Sequence, residues 1–260
     1  MQTVHEFSKL AAECEMVLAT DLDGTFLGGS AEHRRQLYDW LQNHYPAVRL
    51  VFVSGRDPDF IGQLCADGAV PAPEYVIGDV GTTIARFDAG TVQPIPSLEA
   101  PIVRRWHGMA ELVRTRLAGV RGLWMQPTSF RHRLSYQYDE RFDAAALQVL
   151  DGIEVDVLIS HGCFVDILPK GVSKGPSLLR LIDHLKLPRA RVLVAGDTLN
   201  DLSMFQTGLH GAVVGGAERE LLDATRDLPL AYHCRAPGAG GILEAIREHA
   251  LFPKIPEEWT

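Results

Sequence analysis

Two carboxylates one residue apart follow an apolar run near the start of the sequence. Asp21 and Asp23 come directly after residues 16–20, and Gly24 and Thr25 come next. On an extended turn both carboxylates can face one ligand, and Gly24 lets backbone N–H groups approach phosphate oxygens closely. These residue types support metal binding and nucleophilic attack at phosphorus.

The same short pattern also occurs in simple turns and in calcium-binding loops. A calcium loop needs further oxygen ligands at alternate positions and a glutamate at the twelfth position. Glu32 falls at the twelfth position, but Thr25 and Leu27 occupy the next odd positions, which argues against calcium. A plain turn remains open on this motif alone.

Three later polar stretches strengthen the prediction of a functional site. They are Ser54-Gly55-Arg56, Ser173-Lys174-Gly175, and Asp197 with Asn200 and Asp201. Each one alone fits a turn or a solvated side chain. A lysine at a helix start is disfavoured by the helix dipole unless it faces anions. The four stretches in this order predict one site that combines a hydroxyl group, an ammonium group and several carboxylates.

Each stretch is predicted to lie at a strand end or a helix start. The apolar runs are continuous rather than alternating, which is typical of strands covered on both faces. They span 16–20, 49–53, 75–78, 192–196 and 211–214. Helical patterns between them predict an α/β fold, a Rossmann-like parallel core sheet with helices on both faces. Ligands bind at the carboxyl ends of the strands in such sheets.

The middle of the chain has a different pattern. Residues 102–118 predict one amphipathic helix, and residues 132–138 alternate as in a half-exposed strand. Residues 154–160 and 163–168 predict a hairpin around His161 and Gly162. We therefore predict an α+β cap domain at 88–169, inserted into a core formed by 1–87 and 170–260. Trp40, Trp106 and Trp124 are predicted to be core residues rather than sugar-binding platforms.

Composition restricts the class of protein and its partners. The formal net charge of −8 argues against nucleic acid as a partner, and no apolar run is long enough to span a membrane. Four cysteines are scattered without a Cys-x-x-Cys pair, so we expect reduced thiols and a cytoplasmic location.

On these motifs the sequence resembles the haloacid dehalogenase superfamily of phosphatases over essentially its whole length. The position of the insert resembles the branch with a large α+β cap. Residues 236–246, residues 165–169 and Ser173-Lys174-Gly175 are similar to the sucrose-phosphate phosphatase group, which includes phosphatases for mannosylfructose phosphate and glucosylglycerol phosphate. The stretches LATDLDGTFLGG, LVFVSGR and PEYVIGDVGTT are most similar to the glucosylglycerol-phosphate type.

The resemblance implies a catalytic role for each core motif. Asp21 attacks phosphorus and forms an aspartyl-phosphate, and Asp23 serves as general acid and then as general base. Ser54 and Lys174 hold the phosphoryl oxygens.

The resemblance also implies a magnesium ion. Its ligands are the Asp21 carboxylate, the Asp23 backbone carbonyl and Asp197. Asn200 and Asp201 orient Lys174 and the waters on the metal from behind.

The substrate is then expected to be a sugar phosphate ester. Gly55, Arg56 and Arg133 are the candidate substrate-binding residues, with Arg133, Ser135 and Gln137 on one face of the predicted cap strand. The hairpin 160–164 departs from the sucrose-phosphate phosphatase pattern and lacks polar groups that a disaccharide would use. Glucosylglycerol phosphate is therefore favoured, while sucrose phosphate and mannosylfructose phosphate remain possible. A glycosyltransferase or synthase that supplies the substrate is a possible partner.

Two alternatives use the same residue types. A phosphomutase or phosphotransferase would pass phosphate from the aspartyl-phosphate to a sugar instead of to water. A signalling receiver domain phosphorylated on aspartate also has an acid pair, a hydroxyl and a lysine. Receivers have about half this length and leave no room for the insert, and an acid at position 23 is foreign to them.

Overall fold

The computed structural model describes residues 14–128, 130–160 and 162–253, and the structural statements below refer to these residues. His161, at the tip of the hairpin predicted from the sequence, lies outside them.

A large sheet forms the core of the described chain. Its strands are β1 (Met16–Thr20), β2 (Val48–Val53), β3 (Tyr75–Gly78), β4 (Thr83–Asp88), β5 (Thr91–Pro94), β10 (Val192–Gly196), β11 (His210–Gly215) and β12 (Ala231–Pro237). The spatial order is β12-β11-β10-β1-β2-β3-β4-β5. The first six strands are parallel, β4 pairs antiparallel with β3, and β5 pairs antiparallel with β4. The parallel sheet predicted from the continuous apolar runs is confirmed.

Helices cover both faces of this sheet, because successive side chains of a strand point to opposite sides. The α-helices of the described residues are α1 (Ala31–Asn43), α2 (Pro58–Ala66), α3 (Pro96–Trp106), α4 (Met109–Leu117), α5 (Lys174–Leu185), α6 (Leu202–Phe205), α7 (Arg219–Thr225) and α8 (Ala239–Glu248). Of these, α4 packs on the cap sheet instead of the large sheet. Met16 and Leu18 of β1 lie in one apolar cluster with α1 and α8. Val17 and Ala19 lie in the other cluster with α5 and α7. The order strand, helix, strand therefore produces the three layers expected of an α/β fold.

A smaller antiparallel sheet forms the cap. Its strands are β6 (Leu123–Met125), β7 (Leu134–Tyr138), β8 (Val155–Ser160) and β9 (Phe164–Pro169), in the order β6-β7-β9-β8. Leu134 and Tyr136 of β7 pack with Trp106 of α3 and Val113 of α4 in a third apolar cluster. This packing leaves the opposite face of the sheet, which carries Ser135, to line a cleft against the core.

The cap departs from the sequence-based expectations in two places. The single helix predicted over 102–118 is wrong: α3 ends at Trp106 and α4 begins at Met109. Gly108 lies between them with a φ of 77°, a left-handed conformation that a helix cannot contain. The prediction of Trp124 as a core residue is also wrong, since that residue is 46% exposed, whereas Trp40 and Trp106 are buried.

The predicted domain boundaries at 88 and 169 remain a prediction. β4 ends at Asp88, but β5 (Thr91–Pro94) pairs with it and so belongs to the larger sheet. At the other end β9 finishes at Pro169. Within the described residues, no helix combines the length and apolar character needed to cross a membrane.

Candidate active site

Lys174 is the centre of a buried polar network at the carboxyl edge of the large sheet. Its side chain is fully buried, and its Nζ donates to Asp21 Oδ1 at 2.7 Å, Asn200 Oδ1 at 2.7 Å and Asp201 Oδ1 at 2.6 Å. An ammonium group has three protons, so all three donors are used. A buried lysine with this geometry is fixed in one orientation beside Asp21.

The register of the strands explains why distant motifs meet here. β1 and β10 are parallel neighbours with Thr20 opposite Ala195, and the Asp21 N–H donates to the Ala195 carbonyl at 2.9 Å. Asp21 and Asp197 therefore leave the sheet from adjacent strands at the same edge. α5 begins at Lys174 and brings the ammonium group to that edge.

The turn after Asp21 depends on a glycine. Residues Leu22–Phe26 form a wide helical turn that is broken at Asp23 and Gly24, where Gly24 has a φ of 77°. A Cβ at Gly24 would overlap the Asp197 carboxylate. Thr25, the next residue, donates its Oγ1 hydrogen to Asp197 Oδ1 at 2.7 Å. The motif thus packs its backbone directly against the acidic loop that follows β10.

Asp201 connects the two sides of the network. While Oδ1 accepts from Lys174, Oδ2 accepts from the backbone N–H groups of Asp197 and Thr198 at 3.0 and 3.1 Å. This carboxylate is fully buried and is satisfied by both sets of donors. It holds the Lys174 ammonium and the backbone of Asp197 in one rigid unit.

Carboxylate charge exceeds the charge of Lys174 at this edge. Oxygen atoms of Asp21, Asp197 and Asp201 lie within 4.8 Å of one another. Burial raises the pKa of Asp21 to about 8 and that of Asp197 to about 6. Burial alone would lower the pKa of Lys174, but the Asp201 and Asp21 carboxylates outweigh it and hold that pKa above its usual value. A cluster of hard oxygen donors with surplus negative charge fits a divalent cation such as Mg²⁺.

Asp23 points away from the cluster and toward Arg56. The Arg56 Nε and Nη2 groups donate to the two oxygens of Asp23 at 2.8 and 3.1 Å. Both side chains are about half exposed and lie at the mouth of the cleft. The Asp23 carboxylate is therefore accessible to a leaving group, as a general acid must be.

Ser54 directly follows β2 and lies two residues before Arg56. It is 1% exposed, and its Oγ accepts from the Arg56 backbone N–H at 3.1 Å. Gly55 and Arg56 line the cleft. The sequence-based expectation of a hydroxyl at the sheet edge is met, although the hydroxyl lies beneath the turn that it stabilises.

Arg133 joins the cap to this turn. Its Nη1 donates to Asp166 Oδ1 at 2.6 Å and to Ser135 Oγ at 3.0 Å within the cap. Its Nη2 donates to the Gly55 carbonyl of the core at 2.8 Å, and Asp79 Oδ1 lies 3.9 Å away. The guanidinium is almost wholly buried, so this contact fixes the cap against the Ser54-Gly55-Arg56 turn.

The cleft between core and cap has a volume of about 370 Å³. The core contributes carboxylates, backbone and the Arg56 guanidinium, whereas the cap contributes amide, hydroxyl and aromatic groups together with the paired charges of Arg133 and Asp166. The residues that line it include Asp21, Asp23, Gly55, Arg56 and Asn200 from the core, and Gln126, Thr128, Ser135, Ser160 and Phe164 from the cap. A cleft of this kind suits a ligand with an anionic end and a hydroxyl-rich end.

Sequence reasoning missed several residues that complete the site. Thr25, which fixes Asp197, stands in the same short motif as Asp21 and could have been found there. The sequence placed Ser135 on the same strand face as Arg133, but the pairing of Ser135 with Asp166, which also holds Arg133, follows only from the register of β7 and β9. Asp79 was not identifiable, because its approach to Arg133 depends on how the cap packs on the core.

Comparisons with known proteins agree with this architecture. The family model for sucrose-6F-phosphate phosphohydrolase matches residues 14–250. A mannosylfructose-phosphate phosphatase from Agrobacterium fabrum is 32% identical over 253 residues, which is 92% of this chain and 98% of that protein.

A second relative is longer than this chain. A glucosylglycerol-phosphate synthase from Pseudomonas anguilliseptica is 41% identical over 235 residues, covering 89% of this chain. The chain spans only 30% of the length of that relative. Among solved structures, the sucrose-phosphatase from Synechocystis sp., determined in complex with sucrose and phosphate, matches with a TM-score of 0.82 and 25% identity. The match covers 91% of this chain and 98% of that one.

Proposed function

The chain belongs to the sucrose-6F-phosphate phosphohydrolase family within the haloacid dehalogenase superfamily, and from this premise we propose that it hydrolyses a glycoside phosphate monoester through an aspartyl-phosphate on Asp21. The general activity follows from the family: the protein is a sugar-phosphate phosphatase. The observation that carries the proposed mechanism is the Lys174 network, in which the Lys174 ammonium group fixes Asp21 at the cleft.

Asp21 and Asp23 have different roles in the proposed reaction. An Asp21 carboxylate oxygen attacks phosphorus, the bond from phosphorus to the ester oxygen breaks, and Asp23 gives its proton to the leaving alkoxide. Water then attacks the aspartyl-phosphate, Asp23 takes a proton from that water, and inorganic phosphate leaves with Asp21 restored. The exposed position of Asp23 at the cleft mouth supports this role, because its oxygens can reach the leaving group.

The remaining core residues bind the phosphate and orient the catalytic groups. Lys174 offsets negative charge beside Asp21, and the turn at Gly55 and Arg56 supplies the Gly55 N–H and the Arg56 guanidinium for the phosphate. Asn200 and Asp201 keep Lys174 in place through direct hydrogen bonds. Ser54 stabilises the turn and can offer its hydroxyl after a rotation.

Mg²⁺ is the proposed cofactor, held by Asp21 and Asp197 with the Asp23 backbone carbonyl, and the structure adds Asp201 to the nearby oxygen donors. When bound, the ion would offset the repulsion between the carboxylates and the phosphate.

The proposed substrate is glucosylglycerol phosphate in preference to sucrose phosphate or mannosylfructose phosphate. Two observations support it. The relative with 41% identity carries glucosylglycerol phosphate in its name. The cap hairpin at 160–164 also departs in sequence from the sucrose-phosphate phosphatase pattern. We further propose that a glycosyltransferase or synthase supplies the ester and that the protein is cytoplasmic; the free thiols of all four cysteines support the second proposal.

A phosphate-release screen tests this proposal. The purified protein is incubated with magnesium and with the phosphates of glucosylglycerol, sucrose, mannosylfructose, trehalose and simple hexoses. We expect the highest kcat/KM for glucosylglycerol phosphate. Sucrose phosphate as the best substrate would overturn the substrate assignment. Transfer of the phosphate to a second sugar, without release of inorganic phosphate, would instead favour a phosphotransferase.

A further inference from the structure

Trp124 is a large apolar side chain that remains 46% exposed in the cap. It lies in the middle of β6 (Leu123–Met125), an edge strand of the four-stranded sheet. An indole group left in water forgoes the free energy that its burial would provide, so a position of this kind calls for a structural reason.

The strand register places Trp124 on the face of the cap sheet that borders the cleft. Trp124 is opposite Gln137, and Gln137 is opposite Phe164 on the other neighbouring strand. Directly opposite residues share a face, so these three side chains form one row across β6, β7 and β9. Phe164 lines the cleft. The row therefore continues the cleft wall outward from Phe164 to Trp124.

The residue that follows β6 supports the same position for Trp124 beside the cleft. Gln126 follows β6, and its N–H donates to the Ser135 carbonyl at 2.8 Å, which extends the pairing of β6 with β7. Both Gln126 and Ser135 line the cleft. Trp124 lies two residues before Gln126 on the same face, which is about 7 Å along the strand. The indole thus begins where the lining of the cleft ends.

The indole is held in position rather than left to rotate. Its Nε1 donates to Gln137 Oε1 at 3.2 Å, across the strand pair. Along β7, Gln137 is four residues from Arg133, which touches the core at Gly55; this is a distance of about 13 Å. A phosphate group bound beside Asp21 cannot reach Trp124, but a ring attached to the esterified part of the substrate can.

We propose that Trp124 and Gln137 form a platform that binds the sugar ring of the substrate remote from the phosphate. This inference rests on the proposed function and names the ring-binding part of its site. The flat indole offers apolar contact to the C–H face of a pyranose ring, and the Gln137 amide offers a donor to a ring hydroxyl. Neither group carries a charge, so the platform suits a neutral ring rather than a second phosphate.

Steady-state kinetics of Trp124→Ala test the platform. The substrates are glucosylglycerol phosphate, which has the ring, and glycerol 3-phosphate, which lacks it. We expect KM for the glycoside to rise roughly five- to tenfold, the factor for loss of one aromatic contact, with little change for glycerol 3-phosphate. Trp124→Phe should retain most of the affinity. Equal changes for both esters, or no change for the glycoside, would overturn the platform.

Met125→Ala is the matched control. Met125 is the next residue of the same edge strand and is 48% exposed, but its opposite residue Tyr136 packs on the helical side of the sheet. Its loss should leave KM for both esters unchanged. If Met125→Ala and Trp124→Ala raise KM alike, the effect comes from the edge strand as a whole and the platform is wrong.

A binding measurement separates failure of the platform from failure of the proposed function. Unphosphorylated glucosylglycerol is titrated into the wild-type protein while tryptophan fluorescence is recorded. We expect a saturable change that disappears in Trp124→Phe. The titration needs no turnover, so it decides on the platform even if the screen finds no phosphate release. No change in the wild type, or the same change in Trp124→Phe, would overturn the inference.

Discussion

The buried centre of the candidate site and the edge strand β6 of the cap hold their side chains in different ways. In the core, Lys174 is fully buried and uses three hydrogen bonds to three other site residues. In the cap, Trp124 is nearly half exposed and has one hydrogen bond to a neighbouring strand. A side chain with several buried partners has one position available, whereas an exposed side chain with a single partner can be replaced at small cost.

This difference indicates a division of labour within the active-site cleft. In the proposed function the core groups act on the phosphate, which every phosphate ester carries, and the Lys174 network leaves little room for change. In the proposal above, Trp124 and Gln137 of the cap contact the variable part of the substrate, and Trp124 lies on a short edge strand of a small sheet. The predictions below test this division, from the core to the cap.

The largest effect is expected for Asp21→Asn. The amide keeps the size of the side chain and can still accept from Lys174, but it cannot attack phosphorus as a carboxylate does. We expect turnover to fall by about four orders of magnitude or more, with an unchanged circular dichroism spectrum. Asp67→Asn, at the exposed end of α2, is the control and should retain full activity. Residual turnover above about a tenth would contradict the assignment of Asp21.

Removal of the metal should have the next largest effect. We expect excess chelator to abolish phosphate release, magnesium to restore it, and calcium to restore little, since calcium takes more ligands at longer distances. Phosphate release measured after dialysis against each ion decides the matter. Full activity in excess chelator would rule out the metal site at Asp21 and Asp197.

The raised pKa values of Asp21 and Asp197 add a pH signature. Each carboxyl group holds its proton more tightly in the folded protein than in the unfolded chain, where the pKa is near 4. This contribution to stability is complete below about pH 4 and is lost as the pH rises through about 6 and 8. Magnesium bound to the ionised carboxylates opposes the loss. The rise in Tm on adding magnesium should therefore be larger at pH 8 than at pH 5, and an equal rise would argue against binding at these carboxylates.

Asp23→Asn should produce an effect that depends on the leaving group. A sugar alkoxide needs a proton to leave, whereas an activated aryl phosphate such as p-nitrophenyl phosphate needs little protonation. We expect kcat for a glycoside phosphate to fall by about two to three orders of magnitude, and kcat for the aryl ester to fall much less. Equal losses on both substrates would show that Asp23 is not the general acid.

Arg133→Ala should have the smallest effect on the chemical step, and it should also lower Tm, because it removes the bond to Gly55 and the counter-charge of buried Asp79. Arg133 lines the cleft from the cap and donates to the Gly55 carbonyl. We expect KM for a glycoside phosphate to rise about tenfold while KM for a small aryl phosphate changes less. Arg114→Ala, an exposed arginine on the cap helix α4, is the control and should leave both constants unchanged. Equal changes in both KM values would mean that Arg133 does not recognise the substrate.

The sequence predicted the core far better than the cap, for a physical reason. Strands buried on both faces leave uninterrupted apolar runs, and β1, β3 and β10 begin and end where those runs do. β12 was missed because its residues Ala231–Pro237 lie at the edge of the sheet and include exposed polar side chains. In the cap, the apolar pattern runs through Gly108, so a break that the backbone requires is hidden in the periodicity.

The candidate site, too, could be predicted only in part from the sequence. The meeting of Asp21, Lys174 and Asp197 was predictable, since strand ends of a parallel sheet share one edge. The direction of the Asp23 side chain toward Arg56 was not, because it is set by the broken turn at Gly24. The partners of Arg133 could not be predicted either, because Asp166 lies in the cap sheet and Gly55 lies in the turn after β2 of the core.

The contact of Arg133 with the core has a consequence for protein engineering. A cap inserted between two strands looks interchangeable, and exchanging caps among relatives is an obvious route to new substrate ranges. Asp79 of the core is 1% exposed, and the Arg133 guanidinium of the cap offsets its charge. A transplanted cap with a neutral residue at this position would leave that carboxylate buried without its counter-charge, at a cost of several kcal/mol. Chimeras should therefore be built from caps that carry a cation here, or together with Asp79→Asn in the recipient.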